Sequence, residues 1–214
     1  MPRAAVAFLL AALLLPAACV APEGGPQPAA GSAARPAIVV VRAFEVPEDV
    51  VAVDPSLGFS LRKGAPGVPR SVRAASVGRA AAFVLSDALV EELKAAGIDA
   101  ARAAPGAPPP AGSALVVSGV FAKIDEGRRG RGAGHSQVVA DATVEYRSPA
   151  GAPQRLLGLH EDSAELTEAG DTGGARRAHY ALAGVDADAA RVGHAIGRAV
   201  VDLARRQNWL GPPR

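Results

Sequence analysis

Residues 114–147 read ALVVSGVFAKIDEGRRGRGAGHSQVVADATVEYR, and the fold turns on how that stretch divides. Ala114 to Asp125 is rich in β-branched and apolar residues and reads as a strand. From Ser136 to Tyr146 the pattern alternates. Val138, Ala140, Ala142, Val144 and Tyr146 point one way, and Gln137, Asp141, Thr143 and Glu145 point the other. Alternation of this kind marks a sheet with one covered face and one wetter face. Ser148-Pro149-Ala150-Gly151 then turns the chain into a third run, Arg155 to Glu161. Short connections favour antiparallel neighbours, so a three-strand meander is expected.

Outward from this meander, Ala37 to Phe44 (AIVVVRAF) reads as a buried strand, and Ile98 to Arg102 as a short, weak one. Between them, residues 71–96 change to a helical period. Val77, Ala81, Val84, Leu85, Ala88, Leu89 and Leu93 form one stripe. Ser71 or Ser76 is expected to cap its start, and Gly97 with Ile98 to make a left-handed stop. Residues 45–70 have no clear period; an irregular segment of that length is usually functional or mobile. A last helix is expected from Asp188 to Asn208, with Ala189, Val192, Ile196, Ala199, Val200 and Leu203 on its apolar stripe. Asp186 and Asp188 suit its positive end, and Arg205 and Arg206 its negative end. Gly193 and Gly197 on this helix, and Gly78 on the earlier one, offer small faces for close helix–helix contact. The fold class expected is α+β: a mainly antiparallel sheet of four to five strands with two long helices packed on one face.

Composition bounds the function classes. The 214 residues carry 23 Lys plus Arg against 21 Asp plus Glu, a net charge of +2. That balance argues against nucleic acid, which calls for a large one-signed field. A single Cys excludes an internal disulfide, a cysteine zinc cluster and a CxxC redox site. With aromatics at 4%, Ala, Val and Leu must fill the core.

The N-terminus, MPRAAVAFLLAALLLPAAC, has one cation, Arg3, before an apolar run from Ala4 to Leu15. Twelve helical residues reach about 18 Å, short of the ~30 Å hydrocarbon core, so residues 1–18 read as a signal peptide rather than a span. The close of the run on Ala17-Ala18-Cys19 resembles the lipobox of bacterial lipoproteins, with Pro16 where Leu is usual. That resemblance implies lipidation at Cys19 after cleavage, because several acyl chains anchor firmly where one holds marginally. Val20 after the Cys resembles lipoproteins sorted to the outer membrane. The plainer reading is secretion, with cleavage after Ala18 or Ala21. Residues 19–36, dense in Pro, Gly and Ala, read as a tether; 37–210 as one α+β domain; and 211–214 as a tail.

The early strand IVVVRAFEVP, the helix segment ALVEELKAAGI, the stretch 115–144 and the closing QNWL together resemble the bacterial family called domain of unknown function 4410, made up largely of predicted lipoproteins. Relatives tend to carry bulky apolar residues in the loop where RRGR stands here. The resemblance implies compartment and fold, and no catalytic residue.

The loop from Gly127 to His135 is the most chemically suggestive feature. Its glycines allow amides to converge on an anion, and Arg128, Arg129 and Arg131 could clamp phosphate or carboxylate, with Asp125, Glu126 and His135 beside them. The plainer alternative is a hairpin tip with solvated charges. No P-loop Lys-Ser/Thr follows, and the spacing misses the dinucleotide fingerprint. The acidic pairs Asp125/Glu126 and Glu161/Asp162 could serve acid–base chemistry only if they converge; otherwise they mark strand ends. His135, His160, His179 and His194 have no metal-ligand spacing to one another, so no metal is expected. Ser118, Ser136 and Ser163 lack a nucleophile elbow. The expectation is therefore a non-enzymatic envelope lipoprotein without cofactor. It would be held at a membrane (the periplasmic face of the outer membrane) by its lipid anchor and would bind another envelope protein or the cell wall. The alternative is a carrier for a small anionic ligand or lipid.

Overall fold

The computed structural model describes residues 34–55, 69–104, 106–108, 110–128, 135–168 and 184–210. Those expectations that fall on the signal peptide (1–18), Cys19, most of the tether, the tail 211–214, Arg129 and Arg131 lie outside the described residues. All described residues belong to one compact unit, 32–214.

The strands are β1 (Ile38–Val41), β2 (Val51–Ala52), β3 (Ala100–Arg102), β4 (Ala114–Asp125), β5 (Gln137–Arg147) and β6 (Gln154–Asp162). The helices are α1 (Arg70–Ala95), α2 (Ser163–Glu168) and α3 (Val185–Arg206). They form one sheet in the order β3-β1-β4-β5-β6, with β2 also paired to β4. The meander β4-β5-β6 is antiparallel, whereas β1 runs parallel to both β3 and β4, and β2 runs parallel to β4.

This corrects the expected architecture. The sheet is six-stranded and mixed, not a mainly antiparallel sheet of four to five strands, and a third, short helix accompanies the two long ones. The reason lies in α1. Its 26 residues rise about 39 Å and carry the chain back along the sheet, so β3 must run in the same direction as β1. The connection 103–113 returns the chain in turn, so β4 enters beside β1 in parallel, with Val39 opposite Leu115 and Val41 opposite Val117. β1, an isolated bridge from Glu45 to Val120, and β2 together follow β4 as an interrupted partner along its length.

The alternation read in β5 holds: Val138, Ala140, Ala142, Val144 and Tyr146 are all buried. Their partners across β4 are Ile124, Phe121, Gly119, Val117 and Leu115. A bulge between Phe121 and Lys123 shifts the parity of β4, which is how odd positions and then Ile124 reach the same face. Gly119 is needed in that row, because a Cβ there would collide with the Phe44 ring and the Asp141 carbonyl oxygen. Phe44 thus lies over Gly119 and meets Phe121 edge to face, ring centroids 6.0 Å apart.

The helices close this face. Leu85, Leu89 and Leu93 of α1 and Val192, Ile196 and Val200 of α3 are fully buried with it in one apolar cluster. Each such side chain contributes about 1.5–3 kcal/mol by leaving water. Gly193 and Gly197 set how closely the helices approach. A Cβ at Gly193 would strike the Leu85 carbonyl oxygen, and one at Gly197 would lie 2.7 Å from Cβ of Glu92. Gly78 does otherwise: it makes room for Val46 rather than for α3.

Neither long helix begins with a side-chain cap: Pro69 stands at the N-cap of α1, where Ser71 or Ser76 was expected, and Gly184 at that of α3, whose first turn carries the expected Asp186 and Asp188. Both end in the same left-handed turn. At α1, Gly97 has φ 79° and Ile98 N–H donates to Leu93 at 3.0 Å, as the sequence suggested. At α3, Asn208 takes the left-handed position with φ 57°, and Trp209 N–H donates to Ala204 at 2.9 Å. That turn lays the Trp209 indole on the Tyr146 ring, centroids 6.1 Å apart. Among the described residues no helix is long and apolar enough to cross a membrane.

Candidate functional site

The buried polar groups gather chiefly at one end of the sheet, where β2 and β4 finish and β5, α1 and α3 begin. The direction of the strands dictates this: Ala52 pairs with Asp125, and Asp125 in turn with Gln137. Residues 56–68, 129–134 and 169–183 lie outside the described residues.

Glu126 is the centre of the cluster. One step past β4, its side chain is only 4% exposed. Its Oε2 accepts the Asp54 N–H at 3.0 Å and stands 3.5 Å from the Arg73 guanidinium. Arg73 also donates to the Asp54 carbonyl, and the Glu126 N–H donates to the Ala52 carbonyl at 3.0 Å. The result binds the end of β4 to the segment after β2 and to the first turn of α1. Asp54 is itself buried. A shallow recess of ≈ 140 Å³ opens beside it, lined by Arg73, Glu126, Val185 and Asp186 among others.

A second set of contacts ties α3, β4, β6 and α2 to the start of β5. Ser136 Oγ donates to Asp188 Oδ2 at 2.6 Å, and Arg191 pairs with the other carboxylate oxygen. Gln137 Nε2 reaches Asp162 Oδ2 at 2.7 Å and, through Oε1, accepts Lys123 Nζ at 2.7 Å. The fully buried Ser163 accepts the Val138 N–H at 2.9 Å.

Three carboxylates of the two acidic pairs are engaged in separate contacts within the chain. Asp125 Oδ1 accepts the Gly127 N–H at 2.8 Å and so closes a local turn, while Glu126 turns inward. Asp162 holds Gln137 and the Ala164 N–H at the start of α2. Arg128 and His135, at the two edges of the described part of the loop, are both exposed. Sequence reasoning did not single out Asp54, Arg73 or Arg191 and gave Asp188 only a helix-end role. An acidic residue inside the aperiodic 45–70 segment was the one available signal for Asp54.

Away from this end, His194 is buried and its Nδ1 lies 3.0 Å from Glu92 Oε2, joining α3 to α1. On the sheet face away from the helices, His160 Nδ1 lies 2.7 Å from Asp141 Oδ1. The hydrogen bond and charge of Asp141 raise the His160 imidazole above its ordinary value. No group of three or more His, Cys, Asp or Glu among the described residues is placed to hold a metal ion.

These features define a class: a mixed sheet covered on one face by a glycine-spaced helix pair, with ion-paired and hydrogen-bonded polar residues at one end. Residues 39–203 match the family described as Domain of unknown function (DUF4410), and the chain belongs to that family. No curated protein matches it.

Proposed function

We propose that this chain is an envelope lipoprotein, acylated at Cys19, that displays the DUF4410 domain at a membrane surface and acts without catalysis by binding another envelope protein or the cell wall. The observation that carries this reading is the apolar run Ala4–Leu15 closing on Ala17-Ala18-Cys19, ahead of a domain that starts at Ile38. Residues 20–36 would then form the spacer. A Pro/Gly/Ala-rich chain of that length has a typical end-to-end distance of about 25 Å and a limit of about 60 Å. Partners would therefore lie within the spacer's reach plus one domain diameter of the bilayer. The polar end of the domain, where Glu126, Arg128 and His135 lie, is the surface we would expect such a partner to meet first. Support for binding over chemistry comes from the carboxylates, whose oxygens accept from donors of this same chain.

The test is the intact mass and the membrane partitioning of the mature protein beside Cys19→Ser. An acylated mass and loss of membrane association in the variant are expected. A soluble product cleaved after Ala18 or Ala21 overturns the anchor. In-cell crosslinking from the 126–135 loop that captures no specific protein or wall fragment overturns the binding role.

A further inference from the structure

Among the described residues, two large apolar side chains are exposed, Val72 at 53% and Phe83 at 56%. Both belong to α1. Eleven residues apart, they sit about three full turns from one another and share one face. Ser76 and Arg79 fall between them at the four-three-four spacing by which helices pair along a seam. Beside this ridge runs a groove of two adjoining recesses, ≈ 580 Å³ and ≈ 520 Å³, both lined by Val46 and Arg79. Val72 lines the first recess and Phe83 the second. Arg102 stacks on one side of the Phe83 ring, 3.9 Å from its centroid.

The charges of the groove are matched within a single copy. Glu48 and Arg79 both line the first recess, and neither takes part in an ion pair among the described residues. An antiparallel pair of α1 helices related by a two-fold axis between Val77 and Gly78 brings Val72 of one copy opposite Phe83 of the other, twice. The same operation sets Arg79 of each copy opposite Ser76 of its mate, one helical turn from Val72, where Glu48 lines the groove. An isologous contact requires this kind of self-complementarity.

We propose that the Val72–Phe83 face of α1 is a homodimer interface in which two copies of this chain pack with α1 antiparallel. The interface buries both exposed apolar residues and pairs Arg79 of each protomer with Glu48 of the other. It does not depend on the anchor at Cys19.

The experiment uses the full chain with Cys19→Ser, so that introduced thiols are the only ones. Light scattering and sedimentation are expected to give a dimer mass, and Phe83→Glu a monomer with unchanged circular dichroism. Arg79→Glu weakens the dimer, and Arg79→Glu with Glu48→Arg restores it. Val72→Cys mixed with Phe83→Cys yields an interchain disulfide on air oxidation. Neither variant alone does, because like positions lie about 16 Å apart along the axis. A monomeric mass at every concentration reached overturns the proposal. So does a dimer that survives Phe83→Glu, or crosslinking by one cysteine variant alone.

Discussion

The carboxylate of Glu126 stands 3.5 Å from the guanidinium of Arg73 and closes the end of β4 onto the start of α1. Glu126 is nearly buried and also holds the Asp54 N–H, so its removal takes an acceptor from that donor and a carboxylate from the side of Arg73. Glu126→Ala is expected to cost about 2–4 kcal/mol, and Glu126→Gln, which keeps an acceptor for Asp54, about half as much. Denaturant unfolding measures both. Equal, small losses in the two variants would show that the contact is peripheral to stability.

Gly193 faces the Leu85 carbonyl with no room for a Cβ, and the Ala88 methyl would lie 3.1 Å away. Backbone cannot move aside as a side-chain tip can. Gly193→Ala is expected to lose about 1–3 kcal/mol and Gly193→Leu more, despite the ~1 kcal/mol that a glycine in a helix otherwise sacrifices to Ala. Unchanged thermal unfolding in Gly193→Leu would contradict the helix packing described above.

Gly97 supplies the contrasting case. Its φ of 79° is left-handed, and nothing lies within 4 Å of where a Cβ would stand. Gly97→Ala therefore probes backbone conformation alone, with an expected loss of about 1 kcal/mol and a smaller one for Gly97→Asn. Chemical denaturation of the two variants side by side checks the order.

The His160–Asp141 pair sets a pH dependence. Because Asp141 raises the folded-state value of His160, the pair's contribution is fully present below the unfolded imidazole value near 6.5. It fades as pH rises through the folded value. Histidine NMR is expected to place the His160 midpoint above 6.5 and to show it falling in Asp141→Asn. The stability gap between the protein and His160→Gln should be widest below pH 6.5 and narrow as the pH rises above it. A midpoint unmoved by Asp141→Asn would mean that the contact does not persist in solution.

Several elements were legible in the residues for identifiable reasons. β5 alternates because one face is wet, and α1 stops at Gly97 because only a left-handed residue followed by an apolar one completes that turn. The direction of β1 was not legible, since four consecutive β-branched residues fit a parallel or an antiparallel neighbour equally well. The clue lay in the connection: a long helix between two strands returns the chain to its starting end and makes them parallel. β2 has two residues and α2 six, too few for any period to show. At the polar end, Glu126 looked like half of a surface pair because the sequence cannot tell an inward-turned carboxylate from an outward one. Its partners stand 53 and 72 positions earlier in the chain.

The left-handed turn after α3 has an optical consequence. Trp209 is the protein's single tryptophan, buried and stacked on Tyr146. The domain therefore carries an intrinsic fluorophore at the seam between its last helix and its central sheet. Emission from that ring reports whether the C-terminal end is docked, separately from the backbone signal of the helices. Release of the turn ahead of global unfolding would register as a red shift while the circular dichroism stayed constant.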